Sequence, residues 1–262
     1  MSAKALQKVL HVLNDSAGIS DVRMDRFLMK SPLQFITIIL LYLAVVYKIG
    51  PKVMKNRKPY SLREIMIAYN CIQIIANGAI FIACVAQFRS WSVFCTPPER
   101  FEGGFNSYQI RLHYSYILLK FFDLIETVFY VLRKKDKQIS FLHVYHHIGI
   151  LVAAWISGKY FPGGQALYVG FYNTLIHCIM YCYYLITSWR PNSVAVWWKK
   201  YVTALQIVQH CMIFFSVSPV VFNVNCSYPK GWMGAFSLNV LLIIYLFARF
   251  YKDAYLRKNK LN

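Results

Sequence analysis

The sequence predicts an all-α polytopic membrane protein, with seven transmembrane helices enclosing a substrate chamber. Three observations predict it. The 262 residues are 58% hydrophobic and 15% charged, with a mean hydropathy of +0.40, which is too apolar for a soluble domain of this length. Seven runs are long enough, or nearly so, to cross a bilayer, which takes about 20 mostly apolar residues each. The basic residues behind the net charge of +19 lie in alternate connections, a topological signature and not a nucleic-acid-binding face.

Taken in order, residues 1–31 mix charges of both signs and read as a loosely ordered lumenal segment, with room for a short amphipathic helix. Pro32 opens the first span (32–49), plain lipid-facing sequence that Gly50-Pro51 stops. The second span (62–88) carries Arg63 and Glu64 at its start and Asn70, Gln73, Asn77 and Gln87 further in, with no specific reading. Pro97-Pro98 and Gly103-Gly104 mark turns in the loop beyond it. In the third span (109–132), Lys120, Asp123, Glu126 and Thr127 form a polar stripe on one helical face. The fourth (141–157) is the shortest and opens with His143, His146 and His147. A tight link makes spans 3 and 4 antiparallel neighbours. The fifth (165–188) carries Asn173, His177, Tyr181 and Tyr184 at spacings of four, four and three. The sixth (201–222) carries Thr203, Gln206, Gln209 and His210, and the seventh (232–251) is apolar lining. Residues 252–262 close the chain as a tail.

Charge sets the orientation. Lys48 to Lys58 follow span 1, Arg133, Lys134, Lys135 and Lys137 follow span 3, Arg190, Lys199 and Lys200 follow span 5, and Arg249 to Lys260 end the chain. By the positive-inside rule these loops are cytosolic, so the N-terminus is lumenal and the C-terminus cytosolic. The first 30 residues lack the apolar core of a cleavable signal, so span 1 serves as its own insertion signal. Lys258 and Lys260, third and fifth from the end, resemble a dilysine retrieval signal and point to the endoplasmic reticulum membrane. Asn14-Asp15-Ser16 is a lumenal glycosylation sequon, and Asn225-Cys226-Ser227 a poorer one. Of seven cysteines, five lie inside spans as small buried thiols. Cys95 and Cys226 fall in lumenal loops, where a disulfide between them is permitted.

The chemistry concentrates at the start of span 4. Three of seven histidines fall within five residues, and helical spacing gathers them into one imidazole patch at the membrane boundary. Polar groups at membrane depth are costly and tend to be functional. Stripes on spans 3 to 6 face inward and imply a polar chamber, because lipid-facing polar groups would lack partners.

The motifs His143-Val144-Tyr145-His146-His147, Lys120 to Thr127, Leu132-Arg133-Lys134-Lys135, Asn173 to Tyr184 and Thr203 to Gln209 together resemble the very-long-chain fatty acid elongase (ELO) family. Agreement is strong over spans 3 to 6 and topological elsewhere. The resemblance implies condensation of an acyl-CoA with malonyl-CoA, with loss of carbon dioxide and CoA, to a 3-ketoacyl-CoA two carbons longer. It makes His146 the nucleophile forming an acyl-imidazole, since an imidazole can attack a thioester. His177 would activate it or hold the oxyanion. His143 and His147 would set tautomer and polarise carbonyls, and Gln206 and Asn173 would donate to developing charge. Arg133 and Lys134 would meet CoA phosphates. Lys120, Asp123, Glu126, Thr127, Gln138, Tyr181, Tyr184 and Gln209 complete the expected substrate contacts. The acyl tail would run between the spans toward the lumen.

Two departures stand out. The family usually places Glu first and Asp before the Thr, whereas Asp123 comes first here and Glu126 second; His210 stands where an aromatic is usual. A di-iron desaturase or hydroxylase also uses boxes of this kind, but typically through eight or more nitrogen ligands, more than seven histidines supply. No metal or cofactor beyond the substrates is therefore expected. A seven-span receptor or transporter fits the orientation, but span 3 ends in Leu132-Arg133-Lys134-Lys135 and span 7 lacks an Asn-Pro kink. Expected partners are the bilayer, acyl-CoA, malonyl-CoA and the other enzymes of the elongation cycle, with homo- and hetero-oligomers both open and no nucleic acid.

Overall fold

The structure, a computed structural model, describes residues 20–87, 91, 92, 94–99, 107–190 and 195–257. Among them the regular elements are all helical. The long helices are α1 (Pro32–Met54), α2 (Arg63–Gln87), α3 (Tyr108–Leu132), α4 (Phe141–Tyr160), α5 (Ala166–Trp189), α6 (Ala195–Val217) and α7 (Lys230–Tyr251). Six of these are long and apolar enough to cross a membrane, against the seven expected. The exception is α3. Its 25 residues match the others in length, but Arg111, Lys120, Asp123 and Glu126 lower its apolar content.

Six helices close a ring. α2 packs on α5, α5 on α6, α6 on α7, α7 on α4, α4 on α3, and α3 back on α2, while α1 leans on α3 from outside. The seam between α4 and α7 is the sparsest in the ring. The tight link Arg133–Ser140 does leave α3 and α4 adjacent, and Ser140 caps α4 by accepting the His143 N–H at 3.2 Å.

Three expectations need correction. Gly50-Pro51 does not stop the first helix: a π-helical turn, Val45–Ile49, precedes the proline and the helix runs on to Met54. The wider turn relieves the contact between the proline ring and the preceding carbonyls. Gly50 is there for close approach, because a Cβ would lie 2.5 Å from Val131 Cγ1 of α3. Nor is α1 wholly lipid-facing, since Phe35, Tyr42 and Val46 are buried, with Phe35 stacked on Trp155 of α4 at 4.7 Å.

The third correction concerns the N-terminal segment. Its described part, residues 20–31, is docked and not loosely ordered. Met24 and Met29 are fully buried in the α1–α3–α4 core. Asp21 N–H donates to Lys159 O at 2.9 Å, Trp155 Nε1 donates to Leu28 O at 3.0 Å, and Lys159 pairs with Asp25. Two flexible methionines fill the irregular end of the bundle. Asn14, Lys258 and Lys260 lie outside the described residues.

The same end carries the Cys95–Cys226 bond, S–S 2.07 Å and Cα–Cα 5.6 Å, joining the loop before α3 to the loop before α7. Beside it Thr96 and Gln165 exchange hydrogen bonds, Thr96 N–H to Gln165 Oε1 at 2.8 Å and Gln165 N–H to Thr96 O at 2.9 Å. Gly164, at φ +59°, makes that turn, and a Cβ there would strike the Pro97 carbonyl.

Candidate active site

The third helix supplies the centre of the site. Lys120 and Asp123 sit one turn apart on its inner face, each 1% exposed, and pair at 2.6 Å. Lys120 Nζ also donates to Asn173 Oδ1 of α5 at 2.8 Å, where Tyr116 OH donates at 3.0 Å. Gln73 of α2 donates to Asp123 Oδ1 at 2.8 Å and in turn receives Asn77 Nδ2 at 3.0 Å. Six helix-borne residues thus share one hydrogen-bonded network. A buried pair of this kind adds little net stability, because desolvation offsets attraction; its use is to fix geometry. With Asn173 Oδ1 committed to two donors, its Nδ2 is the group left to face the interior, as the network assigns it.

The histidine patch forms, but its members face two ways. His143 Nε2 lies 2.9 Å from Thr127 Oγ1, which accepts from Tyr42 OH at 2.8 Å. His147 is buried, 4.4 Å from the His143 ring, with Nε2 3.9 Å from Glu126 Oε2. Glu126 accepts a short hydrogen bond from Tyr130 OH. These two imidazoles face α3. His146 turns toward α6 and α7, its ring 5.4 Å from His210 and 5.7 Å from Phe247. It lines a small void of about 10 Å³ with Asn173, Gln209, His210 and Asn239. No described residue hydrogen-bonds to its ring. His177, one turn beyond Asn173 on α5, is 4% exposed; its Nδ1 lacks a hydrogen bond and sits 3.8 Å from Asp123 Oδ2.

The remaining candidates divide. Tyr181 is fully buried against His177, Tyr69 and Tyr184. Gln209 reaches the void, whereas Gln206 turns its amide to Met180 Sδ at 3.4 Å and gives only its backbone carbonyl to His210 Nδ1. Of the two glutamines expected at the site, Gln209 is thus the one whose side chain lines the void. Arg133, Lys134, Gln138, Glu126 and Tyr184 line a cleft of about 710 Å³ at the end opposite the disulfide, with Arg63, Lys135 and Lys199. Arg63 also closes the end of α5, donating to Ser188 O and Trp189 O at 3.1 and 2.8 Å.

Deeper in, two further voids of about 20 and 10 Å³ continue the one at His146. Ile150, Val169 and Phe236 wall both the first and second, and His113, Tyr116 and Ala166 both the second and third. The interior is a row of small gaps and not an open chamber. Among the described residues no three His, Cys, Asp or Glu side chains converge as a metal site.

Sequence reasoning missed Tyr42, Gln73, Asn77, Tyr116 and Tyr130. Gln73 and Asn77 carried a signal: amides four apart in an apolar run, which is the spacing of one helical face. The tyrosines carried none among 20 of their kind.

Buried polar groups knitted across an apolar ring of helices define a class, that of multi-helix membrane proteins with a histidine-bearing polar interior. Within it the chain belongs to the ELO family: residues 27–262 match the model described as ELO: GNS1/SUR4 family. It is 34% identical to very long chain fatty acid elongase 7 of Drosophila melanogaster over 90% of this chain and 72% of that protein. Against human very long chain fatty acid elongase 4 the identity is 33%, over 97% and 84%. Human very long chain fatty acid elongase 1 is 30% identical over 98% and 94%.

Proposed function

We propose that the protein is the condensing enzyme of fatty acid elongation, a 3-oxoacyl-CoA synthase working through an acyl-imidazole on His146. The names of its relatives support the pathway, and one observation supports the residue. His146 lines a small void with Asn173, Gln209 and His210 and has no hydrogen-bond partner among the described residues. That is an imidazole held in place by packing and left available to react.

In the first step a His146 nitrogen attacks the thioester carbonyl of a long-chain acyl-CoA. The carbon–sulfur bond breaks, and CoA departs as the thiol with the imidazole proton. Asn173 Nδ2 and Gln209 are the donors nearest the oxyanion, fixed before the reaction and so costing no reorganisation during it. In the second step malonyl-CoA loses carbon dioxide. The resulting enolate attacks the acyl carbon, the bond to His146 breaks, and the imidazole takes up a proton from water in place of the one that left on CoA. His177, beside Asp123, is the relay for those protons.

The cleft receives both CoA moieties, with Arg63, Arg133, Lys134 and Lys199 toward their phosphates. Once bound, the acyl tail lies along the row of voids, with the helices parted around it. In this reading α3 is the seventh span, its mid-span charges Lys120, Asp123 and Glu126 tolerated because each has a partner inside the ring, while Arg111 is exposed near the disulfide end. The basic end faces the cytosol and the disulfide end the lumen of the endoplasmic reticulum.

Incubation with a long-chain acyl-CoA alone tests the intermediate. Peptide mass spectrometry should find one acyl group on His146. An adduct on a cysteine, or none while turnover proceeds, would overturn the assignment.

A further inference from the structure

A second, apolar groove of about 440 Å³ lies on the outside of the ring, between α1, α4 and α7. Leu43 and Tyr47 form one bank, Trp232 and Ala235 the other, and α4 the floor from Phe141 to Ala153. Twelve helical steps make that floor about 18 Å long, more than half of the ~30 Å hydrocarbon layer. Its volume is in the range of ligand sites, about 300–1,000 Å³.

The groove shares a wall with the catalytic void. Gly149, Phe236 and Asn239 line both. The partition is one residue thick, and at Gly149, one turn from His146, it has no side chain. It also falls on the α4–α7 seam, the sparsest in the ring. Asn239 is half-buried at this seam. Its Nδ2 holds Tyr145 OH at 3.3 Å, while its buried Oδ1 has no hydrogen-bond partner. An unpaired acceptor at membrane depth is costly, which marks this position as a place where packing is interrupted.

We infer that this groove is a lateral port through which the acyl chain of the substrate passes between the bilayer and His146. The occupant follows from the surroundings. The groove is apolar and faces lipid, and its inner wall backs onto the proposed acyl-transfer site and, through Ala153, Trp232 and Phe236, onto the next void in the row. Gaps of about 10–20 Å³ do not admit a hydrocarbon threaded end-first from the basic cleft. Parting α4 from α7 lets the chain enter sideways, with the CoA staying in the cleft. The inference rests on the elongase reading above.

Two measurements test it. Ala235 lines the groove but not the void, so Ala235→Trp fills the port and leaves the histidines untouched; Ala235→Ser is the control. With vesicle-borne octadecanoyl-CoA, the tryptophan variant should lose about tenfold in kcat/KM, as if roughly two methylenes were shut out. Octanoyl-CoA, which partitions weakly into lipid, should be turned over as by the parent. Equal losses at both lengths, or none at either, would overturn the port. The second measurement photolabels the parent without malonyl-CoA, using an acyl-CoA that bears a terminal diazirine. Labelling at Val152 and Ala235 that excess unlabelled acyl-CoA removes supports the port. Labelling there only by a diazirine phospholipid, undisplaced by acyl-CoA, makes the groove a resident-lipid site and overturns it. Because the label needs no turnover, a labelled groove in a protein that condenses nothing would reject the elongase reading and keep the groove as an acyl site.

Discussion

Two histidines at opposite ends of the bundle separate structure from chemistry. Near the disulfide, His113 receives the Gly163 N–H at Nδ1, 3.1 Å away, and meets Ser157 Oγ at Nε2, 3.3 Å away. Both ring nitrogens are spent on holding a turn. Toward the basic end, His146 touches rings and a void, and neither nitrogen has a partner among the described residues. The whole of each end follows suit. At the first, a disulfide, two ion pairs and the docked methionines tie the connecting segments to the bundle. At the second, a broad cleft is lined by Arg63, Arg133, Lys134, Lys135 and Lys199, none of which ion-pairs with a carboxylate among the described residues, and by the single acid Glu126. A satisfied imidazole stabilises; an unsatisfied one in a fixed pocket is available for transfer.

The sharpest break of that comparison exchanges the two fates. His146→Ala should lower condensation by roughly a thousandfold or more, with the melting temperature in detergent unchanged within error. His113→Ala should leave turnover in the cold within about twofold. It strands the buried Gly163 N–H, costing about 1–3 kcal/mol, a fall of several degrees at this chain length. A catalytic loss at His113 with none at His146 would reverse the two roles.

The disulfide end predicts the next largest effect. Cys95 and Cys226 are 131 residues apart, so reduction frees most of the ring's connectivity in the unfolded chain. Cys95→Ser should cost about 2–4 kcal/mol in thermal unfolding and expose one thiol to alkylation, with cold activity retained. Identical alkylation of variant and parent would show that the bond does not form.

How much of this was legible in the chain follows from the same contrast. Helix positions came through because apolar runs of span length need only hydropathy. The inward stripes of α3 and α5 came through because lipid forbids the alternative. The histidine box was legible as a cluster. Its split, with His143 and His147 toward α3 and His146 toward α6 and α7, depends on which helices flank α4, and periodicity does not encode neighbours. Gln73 and Asn77 were passed over because amides four apart mark a face of the span, and nothing in the sequence sets Asp123 opposite that face. On α6, Gln209 and His210 reach the void while Gln206 turns to Met180, a split that polar spacing alone does not reveal. Pro51 misled because a proline normally ends a helix, and the compensating π turn leaves no mark in the sequence. The N-terminal segment misled because its charges hid Met24 and Met29.

The smallest effect sets two arginines against each other. Arg23, at the disulfide end, grips Asp21 at 2.6 Å, and that hydrogen bond holds its guanidinium above the ordinary arginine value. Its charge is consumed. Arg133, in the cleft, has only Met66 Sδ against its NH1, at 3.1 Å, and no carboxylate within ion-pairing distance among the described residues. Its charge is available to a phosphate. Arg133→Ala should therefore raise the KM for malonyl-CoA about tenfold, the worth of one charge-assisted contact, with kcat little changed. Arg133→Lys should recover part of that loss, since lysine keeps the charge but not the planar fork. The gap between parent and alanine variant should narrow as salt rises, because an open cleft is screened over about 8–10 Å. A loss confined to kcat and indifferent to salt would place Arg133 with Arg23, as a brace for α3 and not a hold on the substrate.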